Sequence, residues 1–376
     1  MKKNFNQKTV EEVLALADVE INGSRPWDIT VNDDRTYNAF LNGSDAIGEA
    51  YMNGQWDSEA IDQLMDKVIR ADIGGKLPKN PLLLAKSVAA RASGLIGSRN
   101  ITKAKENVER HYDIGRDIFT AMLDDRLVYS CGYWKDTDNL NKAQEAKLEL
   151  SCQKLKLEPG MKVLDIGCGW GSFAKYAAEH GINVVGITLS DDQVEFAKED
   201  TKGLSVEIRK QDYRDVNEGE KFDGIISIGM FEHVGSENYK TFMESVYRNL
   251  KDGGLFLLHT IGNSSNHATV DPWIEKYIFP GGVLPSKNLI TEAAEGYFTE
   301  KDFHSFGTDY DKTLMAWDEN FNRNYENLNQ SKYDQKFKRM WNLYIKGCAG
   351  CFRAESSQLW QFVFSKGDFD GYESVR

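Results

Sequence analysis

The stretch Asp165-Ile166-Gly167-Cys168-Gly169-Trp170-Gly171 sets an acid and three alternating glycines at the end of a short apolar run, Val163-Leu164. Glycine has no Cβ, so a ligand can approach the backbone closely at such a turn. An amphipathic helix starts near Phe173. The unpaired N–H groups of its first turn favour a negatively charged ligand group. The five cysteines, at 131, 152, 168, 348 and 351, are odd in number and form no disulfide framework. Cys348 and Cys351 have CxxC spacing, but no second CxxC and no nearby histidine pair accompany them. That argues against zinc, and no metal is expected.

The elements that must position this turn follow from the periodicity. Strands are predicted over 163–166, 183–188, 205–209, 222–228 and 254–261, with helices between them, and a last strand within 359–364. Such alternation predicts an α/β fold, a doubly wound and mostly parallel sheet covered on both faces. Ligands on these sheets bind outside the carboxyl ends of the strands. Asp165, Thr188, Asp212, Glu232 and His259 are thereby expected near one rim.

A dinucleotide wants G-x-G-x-x-G and an acid at the end of the second strand. Here Ser172 stands where the last glycine would be, and Val185-Gly186-Ile187-Thr188-Leu189-Ser190 carries no acid. The D-x-G-x-G-x-G stretch instead resembles motif I of the class I methyltransferases that use S-adenosylmethionine (SAM). The sheet is therefore expected to be a Rossmann-like SAM-methyltransferase sheet.

Further stretches carry a closer resemblance: Tyr129-Ser130-Cys131-Gly132-Tyr133-Trp134, Gly186 to Ser190, Gln211-Asp212-Tyr213-Arg214, Gly229-Met230-Phe231-Glu232-His233-Val234-Gly235, Phe279-Pro280-Gly281-Gly282, Asp309 to Trp317 and Cys348 to Arg353. Together they resemble the cyclopropane-fatty-acyl-phospholipid synthase family, which is related to the mycolic acid cyclopropane synthases. The N-terminal Gly48-Glu49-Ala50-Tyr51-Met52-Asn53-Gly54 is typical of the bacterial phospholipid enzymes.

The resemblance implies methylene transfer from SAM to a cis double bond of a phospholipid acyl chain. A bicarbonate ion would serve as base, held by Cys131, Glu232, His259, Tyr310 and the backbone of Ile261. It implies Tyr129 and Ser130 at the methionine carboxylate of SAM, and Asp165, Gly167, Cys168, Gly169 and Gly171 under the methionine. Thr188 and Gln193 would meet the ribose, with Gln193 in place of the usual acid, and Asp212 with Tyr213 the adenine. Cys348 aligns with a cysteine treated as catalytic in the family, although attack by an alkene requires no thiolate. Two other readings are a lipid C-methyltransferase giving a methyl-branched or methylene product, and a non-catalytic SAM- or lipid-binding protein.

The 376 residues carry a net charge of −12, which argues against general nucleic-acid binding. From Ile73 to Lys105 the balance reverses, with seven basic residues and no acid. That points to an anionic membrane surface as partner. No apolar run approaches the roughly 20 residues that span a bilayer. No signal peptide is evident, so the expected location is cytoplasmic, peripheral at the inner face of the membrane.

The expected organisation is a small α+β module over 1–72, a basic apolar linker over 73–105 and a catalytic domain over 106–376. Within the last, an aromatic-rich insertion at about 265–325 would line an acyl channel, although ordinary core packing explains most of its rings. A homodimer is expected from the resemblance.

Overall fold

A computed structural model describes residues 5–72, 114–217, 219–264, 268 and 271–376. The basic stretch 73–105, expected to meet a membrane, lies outside the described residues. The chain divides into two compact units. One comprises residues 99–269, 281–313 and 358–376, and the other 1–98, 270–280 and 314–357.

The first unit is built on a seven-stranded sheet. Its strands are β1 (Lys162–Ile166), β2 (Asn183–Thr188), β3 (Val206–Lys210), β4 (Phe222–Ile228), β5 (Leu250–Asn263), β6 (Thr299–Ser305) and β7 (Ser357–Ser365), in the spatial order β3-β2-β1-β4-β5-β7-β6. β1 pairs in parallel with β2 on one side and β4 on the other, so the strand order reverses beside it. In such sheets the crevice outside that reversal is where ligands bind. β1 is central and covered on both faces, hence its unbroken burial from Val163 to Ile166. Its side chains alternate between two cores. Val163 joins Phe173, Val184 and Leu257, while Leu164 and Ile166 join Val185, Phe242 and Phe256.

The five predicted parallel strands and the last strand are present, 183–188 and 222–228 with the expected ends and the others with shifted ends. β6 was not expected. Its Glu300, Lys301 and Asp302 hide an apolar pattern, and it pairs antiparallel with β7 at the sheet edge. Charged residues on an edge strand blunt pairing with other chains.

The second unit holds the helices Phe5–Ala15, Arg35–Phe40, Ser44–Met52 and Ile61–Arg70, a two-residue ladder of Thr30–Val31 against Trp56–Asp57, and the helix Gln335–Arg353. The division differs from the expected one, because 270–280 and 314–357 join the N-terminal module. Packing explains it. Trp273 covers Gly48, where a Cβ would lie 2.3 Å from its ring. Lys276 and Tyr277 both reach Glu49. The Arg339 guanidinium lies 4.1 Å over the Tyr51 ring and donates to Trp56 O at 2.8 Å and Asp57 Oδ1 at 2.7 Å.

The aromatic insertion is consequently split. Tyr297, Phe298 and Phe303 pack on the sheet core, whereas Trp317 and Phe321 are fully buried in the second unit. Most of these rings are core. Among the described residues no helix is long and apolar enough to cross a membrane.

Candidate active site

Gly167, Gly169 and Gly171 all take positive φ, at 82°, 55° and 84°. The turn is tied to β2, since the N–H groups of Gly167 and Cys168 both donate to Ile187 O, at 2.9 and 3.0 Å. A Cβ on Gly167 would lie 2.5 Å from Met230 Cγ, and one on Gly171 would lie 2.9 Å from Ala197 Cβ. One on Gly169 would meet nothing within 4 Å. Two glycines thus serve packing, and the third faces room for a ligand. Gly171 caps the helix Ser172–Glu179 in the left-handed conformation. The Cys168 thiol is raised well above its ordinary range by burial, so it stays protonated.

Behind the turn lie two buried ionisable groups, Asp165 and Lys147, the second of which sequence reasoning missed. Asp165 is 2 % exposed and its Oδ2 has no partner. Burial pushes its carboxyl up to about 7, against the pull of Lys147. Burial lowers the Lys147 ammonium to about 8. Lys147 donates to Ser130 Oγ at 2.9 Å, and Gln144 Nε2 donates to Ser130 O at 2.7 Å. Ser130 is therefore gripped at both its oxygens by one helix, Leu140–Lys154. Tyr129 meets Phe119 edge-on at 5.0 Å. The signal for Gln144 and Lys147 was available. Gln144, Lys147, Ser151 and Lys154 recur at spacings of three, four and three on the buried face of that helix.

Thr188 and Gln193 meet directly, the Thr188 hydroxyl donating to Gln193 Oε1 at 2.6 Å. Ser190 caps the helix Asp191–Asp200 by accepting from Gln193 N. In a capping box the side chain of Gln193 would turn back to the Ser190 N–H. Here Thr188 Oγ1 takes that N–H at 3.3 Å and Gln193 Oε1 accepts from Thr188 instead, while Gln193 Nε2 is buried and unpartnered. Asp212 opens the next turn and pairs with Arg214. Tyr213 packs edge-on to Phe242 at 5.2 Å, and burial raises its phenol to about 12.

Glu232, in the turn after β4, and His259, within β5 and level with Ile228 at the end of β4, are 7 % and 1 % exposed. Glu232 Oε1 accepts from the Ile261 N–H at 2.7 Å, while Oε2 is buried without a partner. Burial pushes the Glu232 carboxyl up to about 7, and the Ile261 hydrogen bond works against that rise. His259 Nδ1 lies 3.2 Å from Gln361 Nε2, and its Nε2 is buried without a partner. Burial keeps the ring neutral, holding its pKa well below the usual histidine value.

Cys131 is fully buried, and that burial keeps its thiol protonated. The thiol donates to Gly132 O at 3.1 Å. The 131–134 loop is pinned to the start of the helix Thr308–Asn324. Gly132 N and Trp134 Nε1 both donate to Thr313 Oγ1, at 3.1 and 2.8 Å, and Trp134 N donates to Asp309 Oδ2 at 2.8 Å. Tyr310, 7 % exposed, stands between those two anchor points in the helix sequence.

Cys348 belongs to the other unit, on the helix Gln335–Arg353. Desolvation raises its thiol well above the ordinary range, which disfavours the thiolate. Among the described residues no group of three or more His, Cys, Asp or Glu side chains is placed to hold a metal ion.

The unpartnered atoms Asp165 Oδ2, Gln193 Nε2, Glu232 Oε2 and His259 Nε2 are all on this sheet unit, at or beside the carboxyl ends of its strands. Buried polar atoms are ordinarily paired, so these four are candidates for contact with a ligand. Residues 99–362 match the family model described as mycolic acid cyclopropane synthetase. The chain is 47% identical over 371 residues to the cyclopropane-fatty-acyl-phospholipid synthase of Escherichia coli strain K12, covering 98% of this chain and 96% of that one. It is 29% identical over 336 residues to a tuberculostearic acid methyltransferase of Mycobacterium tuberculosis, covering 84% and 78%. A solved structure of the mycolic acid cyclopropane synthase CmaA1 complexed with SAH and CTAB matches with a TM-score of 0.64 at 34% identity, over 70% of this chain and 98% of that one. The motifs, the strand order and these matches agree: the chain belongs to the mycolic acid cyclopropane synthetase family.

Proposed function

We propose that this enzyme transfers a methylene group from SAM to the cis double bond of unsaturated phospholipid acyl chains, forming a cyclopropane ring. The observation that carries the reading is Glu232. It is a buried acid anchored by the Ile261 N–H, with one carboxyl oxygen unsatisfied at the end of the strands where a methyl donor would lie.

The residues fit the donor. The turn opens over Gly169, Ser130 is held by Lys147 and Gln144, and Gln193 offers a free amide N–H to a ribose hydroxyl. In the reaction the alkene forms a C–C bond to the sulfonium methyl carbon as the C–S bond breaks. The new methyl then loses a proton and the ring closes, so the chain gains CH₂.

A base is needed, and water must be excluded from the cation. Glu232, His259, Tyr310, Cys131 and the Ile261 backbone would hold a bicarbonate ion, which supplies the base when bound. His259 Nε2 is an unpartnered buried nitrogen suited to one of its oxygens. In this reading the buried Cys131 thiol stays protonated and turns its single proton from Gly132 O to the ion, and Cys348 serves packing.

The enzyme is proposed to work as a homodimer at the inner face of the membrane, with the basic stretch 73–105 on anionic headgroups. The protein is incubated with labelled SAM and unsaturated phospholipid vesicles, and the acyl chains are weighed by mass spectrometry. A gain of CH₂ on SAM-dependent turnover supports the reading, and NMR tells a ring from an exocyclic methylene. Unchanged chains sink it. The tuberculostearic acid relative favours a second reading, a saturated methyl branch, which adds two hydrogens more than CH₂.

A further inference from the structure

A hydrogen-bond chain links the helix Leu140–Lys154 to His259. The Ser151 hydroxyl donates to Lys147 O at 2.8 Å. A hydroxyl has one proton, so towards Gln361 its oxygen can only accept. Gln361, on β7 and fully buried, stands 3.5 Å from Ser151 Oγ and 3.2 Å from His259 Nδ1 through the same nitrogen, Nε2. Both neighbours then receive a donor. The reversed amide would set its oxygen against the lone pairs of Ser151. The orientation leaves Gln361 Oε1 buried and unpaired.

An amide N–H₂ facing Nδ1 makes that atom the acceptor. A neutral imidazole that accepts at Nδ1 carries its proton on Nε2. We infer that Gln361 is a positioning residue that sets the tautomer of His259, presenting Nε2–H as a neutral donor to the reacting site. The titratable groups bearing on the ring are Lys147 and Lys154 from the helix and His304 from β6, all of which disfavour an imidazolium. A neutral donor can hold an anionic base without protonating it, whereas an imidazolium would surrender its proton and quench the base. This consequence for turnover rests on the proposed function, while the tautomer does not.

The test is a ¹⁵N–¹H correlation spectrum of the ring nitrogens in the full-length protein labelled at histidine, with His259 assigned by its loss in His259→Asn. The Nε2–H pattern is expected for the wild type, and an Nδ1–H or imidazolium pattern overturns the inference. Gln361→Glu offers only acceptors to Nδ1. It is expected to move the proton to Nδ1 and to bring an imidazolium signal into about pH 6 to 8. With it, kcat on vesicles falls about 10- to 100-fold while KM for SAM is unchanged. An unaltered tautomer in Gln361→Glu overturns the assignment. Should that variant fail to fold, Ser151→Ala frees the amide to turn without touching the ring. It is expected to show mixed tautomers, and a pure Nε2–H pattern there rules out the hydroxyl chain as the cause. A wild type with the expected tautomer and no lipid turnover refutes the proposed function and leaves this inference standing.

Discussion

Glu232 gathers the consequences of burial at a single residue. Burial pushes its carboxyl up to about 7 from the ordinary glutamate value of 4.5. The unfolded chain therefore loses this proton at lower pH than the native protein. A raised carboxyl contributes stability that is fully present below about pH 4.5 and lost as pH rises through about 7. Urea unfolding is expected to show stability falling across that window by roughly 3 kcal/mol at most from this group, with the component absent in Glu232→Gln. The same variant is expected to lower kcat by about 10² to 10⁴ with SAM affinity retained, as measured by product mass and calorimetric titration. Retained turnover would remove Glu232 from the proposed machinery. Resemblance pointed to Glu232 and His259, and their strand-end positions agreed with it. Nothing in the sequence distinguished the two carboxyl oxygens of Glu232, one satisfied by Ile261 and one waiting for a ligand.

The Gly-rich turn shows what an element adds to its residues. Three glycines look equivalent in sequence, yet their environments differ. Gly169→Ala meets no protein atom and pays only for its left-handed backbone, about 1 to 2 kcal/mol. It is expected to fold with a slightly lower Tm but to lose SAM affinity at least tenfold, because the added methyl enters the ligand's room. Gly167→Ala meets Met230 at 2.5 Å as well as strain and is expected to lose more stability. Thermal melts beside SAM titrations separate the two effects, and equal losses of stability would contradict this division. The helix Leu140–Lys154 teaches the complementary lesson. Its polar residues at 144, 147, 151 and 154 line one face, and that face is buried. Their partners Ser130, Gln361 and Asp302 come from distant parts of the chain.

For the whole molecule, the sheet unit and the N-terminal unit each carry their own core. In the latter, Arg339 donates to Trp56 O and Asp57 and stacks on Tyr51. Gly350 sits where a Cβ would lie 2.5 Å from Asp62 O. Arg339→Ala is expected to cost about 1 to 3 kcal/mol of that unit's stability while leaving SAM affinity unchanged, since the residues proposed to bind SAM belong to the sheet unit. A denaturation curve read beside a SAM titration checks this, and a parallel loss of affinity would contradict it. The alternation of apolar runs and the glycine spacing were enough, by themselves, to determine the parallel sheet and the Gly-rich turn at its rim, because strand burial and tight turns are local demands on residue type. Only the tertiary structure decided that the helix Gln335–Arg353 and its Cys348 belong with the N-terminal module, that Thr299–Ser305 closes the sheet, and that Lys147 and Gln361 stand behind Ser130 and His259. Those outcomes depend on which distant side chains desolvate one another, and residue type and local spacing do not encode that.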